Sequence, residues 1–466
     1  MSVGSLTKRH SLTIFRILSP LWVLSLTGCP PPPPPPTVPQ PTHQVFEFNQ
    51  GIQHLATLLV KHFDVFQHAM RLQGKSATVP DSAMHRTVLQ PFLVADTGES
   101  LKLHSIIENL MARVMTPKLG ITKMTQEYID TAAYVIDGII ALESHPATRN
   151  KTYRIYASLF EKKAGAIIGS GDVWIQNLDY QPLDIYKDSP VYLKDRELDT
   201  LVASVKRPVG QTVDPSYLAK LKTRSLLSEG DTLYEKREWE SALPFYQEAE
   251  RRADGQSMKV YAGLYNIYRL QQEANHSETA FAKLIDVSVK EKNEIAVKLL
   301  FIVDTTDFVS NPLELRREYI MWLRQISKYM ERTPDVCLRV VGHASRSGKA
   351  DYNKLLSTRR AQQVQSLMKQ TYAGLAKRSE AVGMGFEQTV IGTGVDNESD
   401  AIDRRVEFLL KSCESGRRAR ATALVTAQLE TTARRPPLAM AWHGQGVRDA
   451  ADGAAGAAAW GWGWSS

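Results

Sequence analysis

The amino-acid sequence predicts an α+β protein built from several domains. A chain of 466 residues is long enough for about three domains of ordinary size. Strand-like and helix-like segments are mixed near both ends of the globular part, whereas the middle shows only the spacing of helices. We therefore predict an N-terminal α/β domain over 46–205, a helical region over 215–293 and a C-terminal α/β sandwich over 296–412.

The charge of the chain is mildly basic. Lys and Arg number 57 against 50 Asp and Glu, which gives a formal net charge of +7. This excess suits a basic surface near anionic lipid or cell-wall polymer, and it is equally compatible with an ordinary solvated surface. Because no dense basic stripe with interleaved aromatic residues occurs, nucleic acid is not an expected partner.

The amino terminus has the pattern of an export signal. Basic residues precede an apolar run at 17–26, which is too short to span a bilayer and leads into Leu-Thr-Gly-Cys. This ending resembles the lipobox of bacterial lipoproteins. The resemblance implies a signal peptide over 1–28 and a lipid, with palmitate among its acyl chains, on Cys29. Pro30 in place of aspartate implies the periplasmic face of the outer membrane. The alternative is a short buried helix with an incidental cysteine.

A proline-rich segment follows over 29–45. Residues 30–36 are all proline, and a polyproline II helix of this length is a semi-rigid stalk of roughly 20 Å. Such a stalk holds a folded domain away from lipid headgroups. A low-complexity spacer with no required length is the other interpretation.

The first globular segment alternates strands and helices. We expect an amphipathic helix from Phe48, a strand over 87–94, a helix over 101–114 and a strand over 133–142. Two further strands, 152–159 and 166–175, flank a Lys-Lys-Ala-Gly turn that is typical of a hairpin. This order over about 46–195 is similar to the CsgG/FlgO/LpoB-type envelope lipoprotein domain. The resemblance implies a partner-binding or pore-forming module, with an envelope protein as partner.

The middle region carries helical repeats. Residues 230–249 look like one tetratricopeptide repeat (TPR), with small and aromatic residues where two helices approach closely, and 261–281 look like a degenerate second one. Two repeats cannot bury their apolar faces alone. We therefore expect them to pack against a neighbouring domain. Both a peptide-binding groove and a rigid spacer agree with this pattern.

The C-terminal domain places an arginine on an apolar helix face. We expect the domain to begin with a strand over 297–303 and to contain a short β-rich run at 388–391. Between them, a strand over 336–341 ends at a loop of small residues, 342–348, and a helix follows over 353–368. Arg360 lies at helical spacing from Leu356, Val364 and Met368. Since guanidinium stays charged, a buried arginine must meet an anion or several acceptors. We expect a carboxylate-binding site at the end of the strand.

These residues carry a family resemblance. Gly342-His343, Tyr352-Asn353, 356–361 (Leu-Ser-Thr-Arg-Arg-Ala) and 403–408 (Asp-Arg-Arg-Val-Glu-Phe) resemble the OmpA-like peptidoglycan-binding domain, with its GHTD, YN, LSxxRA and NRRVEF motifs. The resemblance spans about 296–411. It implies that Arg360 binds the carboxylate of diaminopimelate in a stem peptide. Ser345 stands where the family has aspartate, so we expect weaker or altered ligand binding.

Other side chains complete the predicted site. We expect the 342–348 loop, which begins with Gly342 and His343, to supply backbone donors to the ligand. Asn353, in the helix that follows, is also an expected binding residue. Arg404 or Arg405 would add a second anion contact, or would be solvated or paired with an acid such as Asp400. Asp307 would replace the missing negative charge if it faced Arg360, or would form a structural pair.

The remaining cysteines and the tail leave alternatives. Cys337 and Cys413 would form a disulfide in an oxidising periplasm, or would stay free and partly buried. The segment 413–466 is rich in Arg, Ala and Gly without apolar periodicity, which predicts a disordered tail.

No catalytic motif, metal-binding spacing or cofactor motif occurs, so an enzyme is not expected. The favoured function is a lipid-anchored tether between the outer membrane and peptidoglycan. The alternative is an accessory subunit of an envelope secretion or synthase complex that acts by protein binding, with the wall domain only positioning it.

Overall fold

We describe the protein from a computed structural model, which covers residues 37, 43–74, 86–299, 301, 305–308, 313–389 and 403–413. The predicted signal peptide, Cys29, the prolines that follow it and the tail beyond 413 lie outside these residues. The same holds for the end of the β-rich run predicted at 388–391.

The N-terminal domain is built on a seven-stranded mixed sheet. Its central strands β5, β6 and β7 form an antiparallel meander, and the spatial order is β1-β7-β6-β5-β2-β4 with β3 paired to β5. The strands are β1 (Val45–Glu47), β2 (Thr87–Leu89), β3 (Leu93–Val94), β4 (Ile121–Lys123), β5 (Tyr134–Ser144), β6 (Lys151–Glu161) and β7 (Ile167–Gln176). The predicted hairpin is confirmed as β6 and β7.

One predicted strand is divided in two. We expected a continuous strand over 87–94, but β2 ends at Leu89 and β3 begins at Leu93. The cause is Pro91, which has no N–H to donate to the β5 ladder. The ring of Phe92, in the break between β2 and β3, packs directly against Gly138. A Cβ on Gly138 would lie 2.3 Å from that ring.

Helices cover both faces of this sheet. One face packs on α1 (Phe48–Leu72) and α2 (His104–Leu119), while the other packs on α5 (Arg196–Val205) and α6 (Pro215–Ala219). The predicted helix at 101–114 is thus displaced to 104–119. Along β5 the two faces alternate with the strand period of two: Ile136 and Ile140 face α1, whereas Val135 and Ile139 face α5. The short helices α3 (Gln126–Thr131) and α4 (Asp184–Lys187) lie in the connections.

The middle region consists of four helices packed in sequence. They are α7 (Leu221–Glu235), α8 (Trp239–Arg251), α9 (Met258–Leu270) and α10 (Ala274–Lys292). The ring of Tyr246 on α8 lies against both α7 and α9. A Cβ at Gly230 or Gly263 would lie 2.8 or 2.2 Å from that ring, so glycine permits the close packing at both positions. The small residues noted in the sequence therefore serve helix contact.

The C-terminal domain has a four-stranded sheet in the order β10-β9-β11-β8. Strands β9 and β10 are parallel, whereas β11 is antiparallel to β9 and β8. The elements are β8 (Glu294–Val297), α11 (Leu313–Arg332), β9 (Val336–Gly342), α12 (Ala350–Thr371), the 3₁₀ turn Ala373–Lys377, β10 (Ser379–Gly383) and β11 (Val406–Ser412). Helix α12 packs on β9, β10 and α11.

The first strand of this domain differs from the prediction. We expected it over 297–303, whereas β8 covers Glu294–Val297; residues 300 and 302–304 of the expected range lie outside the described part of the chain. The chain leaves the sheet because the Lys298 N–H donates to the carbonyl of Pro190 at 2.9 Å and not to β11. Val297 also forms a bridge with Val191. The end of β8 is thus attached to the segment that follows the N-terminal sheet.

The helical region shares its core with the C-terminal domain. Buried side chains of α8, α9 and α10 belong to one cluster with those of α11, α12 and the four-stranded sheet. At the contact, Trp322 stacks on Phe281 with ring centroids 5.9 Å apart and donates its Nε1–H to the hydroxyl of Tyr265 at 2.7 Å. The four helices therefore pack against a neighbouring domain, as we expected for the helical region.

Candidate functional site

The strand ends of the C-terminal sheet lie very close to α12. A Cβ at Gly342, the last residue of β9, would lie 2.2 Å from the carbonyl oxygen of Ser357. At the end of β10, a Cβ on Gly383 would lie 2.2 Å from the nitrogen of Thr358. Only glycine tolerates such an approach to backbone. The two strands therefore fix the turn of α12 that precedes Arg360.

The loop after β9 folds inward on itself. Ser345 is only 5% exposed, and its hydroxyl lies 3.3 Å from that of Ser347. The amide of Asn353 donates to the Ser347 carbonyl at 2.6 Å, and Gly348 turns the chain at a φ of +89°. Asn353 therefore shapes the predicted loop from the first turn of α12.

His343 and Arg405 converge on a carboxylate that we did not predict, Glu407. His343 is 1% exposed, and its Nε2 lies 3.1 Å from Oε2 of Glu407. Arg405 donates from Nε to the other carboxylate oxygen at 2.5 Å. Burial by itself raises the pKa of Glu407, but His343 and Arg405 outweigh this and lower the pKa to about 2. Arg405 is thus paired with an acid, Glu407, whereas Asp400, the acid that the sequence suggested, lies outside the described residues.

The sequence contained a signal for Glu407. Residues 405 and 407 stand two apart at the start of a strand, so they share a face, while Val406 and Phe408 are fully buried on the opposite one. Nη1 of Arg405 and Nδ1 of His343 are buried, and neither has a hydrogen-bond partner in the described part of the chain.

Arg360 is turned inward, as predicted. It is 4% exposed, its Nε donates to the carbonyl of Thr305 at 3.0 Å, and its guanidinium lies 4.9 Å from the ring centroid of Phe301. These contacts supply an acceptor and an aromatic face to a charge that cannot be neutralised. The predicted contact with a ligand carboxylate stays a prediction.

A cavity of about 300 Å³ opens beside Thr305, the residue whose carbonyl accepts the hydrogen bond from Arg360. Its lining includes Thr305, Thr306, Asp307, Tyr352, Leu355, Leu356 and Arg359. Successive helix residues point about 100° apart, so Arg359 faces outward where Arg360 faces inward. Asp307 is exposed, and its backbone N–H donates to Oγ1 of Thr305 at 3.1 Å. Asp307 and Arg359 therefore line the same cavity with opposite charges.

The predicted site residues thus fall into three groups. His343 and Arg405 surround Glu407, Ser345 and Asn353 surround Ser347, and Arg360 and Asp307 are joined through Thr305. Arg359 was not among the predicted site residues, although it adjoins Arg360, because it lies outside the inward helix face on which the prediction rested.

A disulfide closes the far end of the β9–β11 ladder. It joins Cys337 to Cys413 with a Cα–Cα distance of 5.1 Å. The N–H of Cys413 also donates to the carbonyl of Asp335 at 2.9 Å. The bond thus fixes the last strand to the start of β9.

Among the described residues, no helix combines the length and apolar character needed to cross a membrane. Nor does that part of the chain contain a group of three or more His, Cys, Asp or Glu side chains that could hold a metal ion.

Residues 308–402 match the OmpA family. Together with the sheet, the two helices and the motif residues around Arg360, this match defines an OmpA-like C-terminal domain. A comparison with curated protein sequences found no match.

Solved structures are similar to a part of the chain. A peptidoglycan-associated lipoprotein from Burkholderia pseudomallei is 25% identical, with 24% of this chain and 88% of that one covered and a TM-score of 0.21. The cell wall anchor of the T6SS from Pseudomonas aeruginosa is 24% identical, with coverages of 26% and 81% and a TM-score of 0.21. The periplasmic domain of Helicobacter pylori MotB is 12% identical, with coverages of 30% and 87% and a TM-score of 0.22. The family match, not these alignments, identifies the domain.

Proposed function

We propose that this protein binds peptidoglycan without covalent attachment and anchors itself to the cell wall through its OmpA-like domain. The observation that carries the proposal is the family match over residues 308–402, with Arg360 at the arginine position of the LSxxRA motif. A stem peptide carrying diaminopimelate is the expected ligand, because its carboxylates suit arginine donors.

The cavity beside Thr305 is the place where we expect the stem peptide to bind. Arg359 presents a guanidinium at its wall, and Asp307 presents a carboxylate suited to an ammonium group. Diaminopimelate carries both kinds of group. Arg360 positions the cavity wall from the buried side of the helix, because its Nε donates to the carbonyl of Thr305 at 3.0 Å. In this proposal Asp307 supplies the negative charge that Ser345 cannot.

The finer part of the proposal concerns the membrane. The Leu-Thr-Gly-Cys sequence supports lipid attachment at Cys29, and Pro30 supports delivery to the periplasmic face of the outer membrane. With one end in lipid and the other on the wall, the chain would tether the two layers. The proposal includes no enzymatic step.

A sedimentation assay with purified peptidoglycan tests the proposal. We expect Arg359→Ala and Arg360→Ala each to weaken retention roughly tenfold or more, since Arg359 is the charge-assisted donor to the ligand and Arg360 holds Thr305 in place at the cavity. Arg317→Ala is the matched control, because Arg317 is exposed on α11 and does not line the cavity.

Because Arg360 also packs on Phe301, its variant needs a check of folding by thermal unfolding. Arg359→Ala removes an exposed side chain and avoids that problem. Retention equal to wild type in both variants, with intact folding, would contradict the wall-binding site. It would leave the accessory-subunit function as the better hypothesis.

A further inference from the structure

The connection between β7 and α5 runs across the helical region. It is fixed to the N-terminal domain where the N–H of Leu183 donates to the carbonyl of Ser100 at 2.9 Å. The short helix α4 follows and lies against α7 and α9. Beyond α4, the carbonyl of Pro190 accepts the N–H of Lys298 at 2.9 Å, and the ammonium of Lys298 donates to the carbonyl of Tyr186. The connection is therefore fixed on both sides of α4 by main-chain hydrogen bonds.

The main chain of Ile185 is held by side chains of two different helices. Its N–H donates to Oε1 of Glu235 on α7 at 3.2 Å, and its carbonyl accepts from Nδ2 of Asn266 on α9 at 2.8 Å. The groups that are bound here are the N–H and C=O that every residue except proline carries. Glu235 and Asn266 therefore recognise a polypeptide main chain, independently of the side chain at that position.

The side chains that follow Ile185 are recognised individually. The ring of Tyr186 is buried, and its hydroxyl donates to Oδ2 of Asp231 on α7 at 3.1 Å. Two residues later, Asp188 accepts from the hydroxyl of Tyr234 at 2.6 Å and lies 3.8 Å from a guanidinium nitrogen of Arg269. These contacts select a tyrosine that is followed two positions later by an acid. They define the α7/α9 groove, whose walls are Asp231, Tyr234, Glu235, Asn266 and Arg269.

The α7/α9 groove contains polar atoms that its present occupant does not satisfy. Asn266 is 0% exposed, yet its Oδ1 has no hydrogen-bond partner in the described part of the chain. The same holds for the buried Nε of Arg269. Each of these atoms has lost its contact with water without gaining a bond that compensates. A ligand that supplies a further donor or acceptor would therefore be held better than residues 183–188.

We propose that residues 183–188 are an autoinhibitory ligand, which occupies in cis a groove that binds a partner polypeptide. The partner segment presents the chemistry of its cis counterpart: an apolar residue, a tyrosine directly after it and an acidic residue two positions further on. Lys187 and Asp188 are exposed, so the partner reaches the groove from their side. The groove shares no residue with the cavity beside Thr305, so its occupancy does not depend on wall binding.

Fluorescence anisotropy tests the proposal with a labelled hexapeptide, Leu-Asp-Ile-Tyr-Lys-Asp, which has the sequence of 183–188. The peptide is titrated with the purified full chain. A tethered segment competes at an effective concentration on the order of millimolar, so wild type should bind the peptide only weakly. The release variant Ile185→Ser/Tyr186→Ser removes both buried side chains of the cis segment. We expect this variant to bind the peptide at least about tenfold more tightly than wild type.

Two further changes show where and how the peptide binds. Asn266→Ala, added to the release variant, removes the amide that holds the ligand carbonyl, and we expect it to weaken binding about tenfold. Asn275→Ala is the matched control, because Asn275 is exposed on α10 and lies outside the groove; it should leave binding unchanged. A peptide with serine in place of tyrosine should bind the release variant about tenfold more weakly.

Tyr186→Phe covers the case in which the release variant does not fold, which circular dichroism and thermal unfolding would reveal. This substitution keeps the buried ring and removes only the hydroxyl that donates to Asp231. The free peptide retains its own hydroxyl and so gains an advantage over the cis segment. We expect Tyr186→Phe to bind the peptide about fivefold more tightly than wild type.

Three results would overturn the proposal. They are peptide binding by a folded release variant that is no tighter than that of wild type, binding undiminished by Asn266→Ala, and equal binding of the tyrosine and serine peptides. If the release variant is unfolded, equal affinity of Tyr186→Phe and wild type would overturn it. Residues 183–188 would then be a permanent part of the core.

Discussion

Glu407 should make the C-terminal sheet sensitive to acid. Its carboxylate is buried with His343 and Arg405, which lower its pKa from an ordinary 4.5 to about 2. That difference corresponds to about 3 kcal/mol in favour of the folded state when the carboxylate is ionised. The contribution is fully present above pH 4.5 and is lost as the pH falls towards 2.

The variant Glu407→Gln removes this contribution at every pH. At pH 7 we expect it to destabilise the β9–β11 ladder by up to about 3 kcal/mol, and near pH 2 to 3 we expect most of the difference from wild type to disappear. The assay is amide hydrogen exchange of peptides from β9 and β11, corrected for the intrinsic rate at each pH. A loss of about 3 kcal/mol in stability should accelerate the exchange that proceeds through opening of this ladder by about a hundredfold.

Glu380→Gln is the matched control. Glu380 lies on the neighbouring strand β10, and its side chain is 49% exposed beside Arg339 and Lys411. Exposed pairs of this kind contribute little to stability, so its variant should follow wild type. If Glu407→Gln and wild type lost protection in parallel between pH 5 and 3, the Glu407 cluster would not be a source of acid sensitivity.

Two further predictions concern the cysteines. The disulfide between Cys337 and Cys413 closes a loop with a sequence separation of 76, for which chain entropy gives up to about 4.5 kcal/mol; the double alanine variant should melt several degrees lower, and an unchanged melting temperature would contradict this. Cys29→Ala should move the protein from the membrane fraction to the soluble fraction of cells, and its retention in the membrane fraction would refute lipid anchoring through that thiol.

Local periodicity predicted the parts of the fold that depend on one element at a time. The inward face of α12 follows from the spacing of Leu356, Arg360 and Val364, all of which are buried. The hairpin of β6 and β7 follows from its strands and turn. The break at Pro91 could also have been predicted, because the lack of a backbone N–H is a property of proline itself.

Features that depend on tertiary contacts were not predicted. The early end of β8 results from the bond between Lys298 and the carbonyl of Pro190, more than a hundred residues earlier. The stacking of Trp322 on Phe281 joins two helices whose residues lie some forty positions apart. No periodic pattern connects such residues, because their proximity is decided by how the domains pack.

The same limit applied to the candidate site. The motif identified Arg360, but the exposed wall of the cavity is formed by Arg359 and Asp307. Which of two adjacent arginines meets solvent depends on how Thr305 and Phe301 cover the helix. That coverage comes from a segment some fifty residues away.

The continuous core of the helices and the C-terminal sheet has a consequence for dissection of the protein. Truncation between α10 and β8 would remove Phe281 and Tyr265 from Trp322. It would therefore expose an apolar surface on the OmpA-like domain. A fragment that begins at α7 keeps both sides of this interface, the helical region and the C-terminal domain. It is therefore the smaller piece that we would choose for crystallisation or for fusion to another protein.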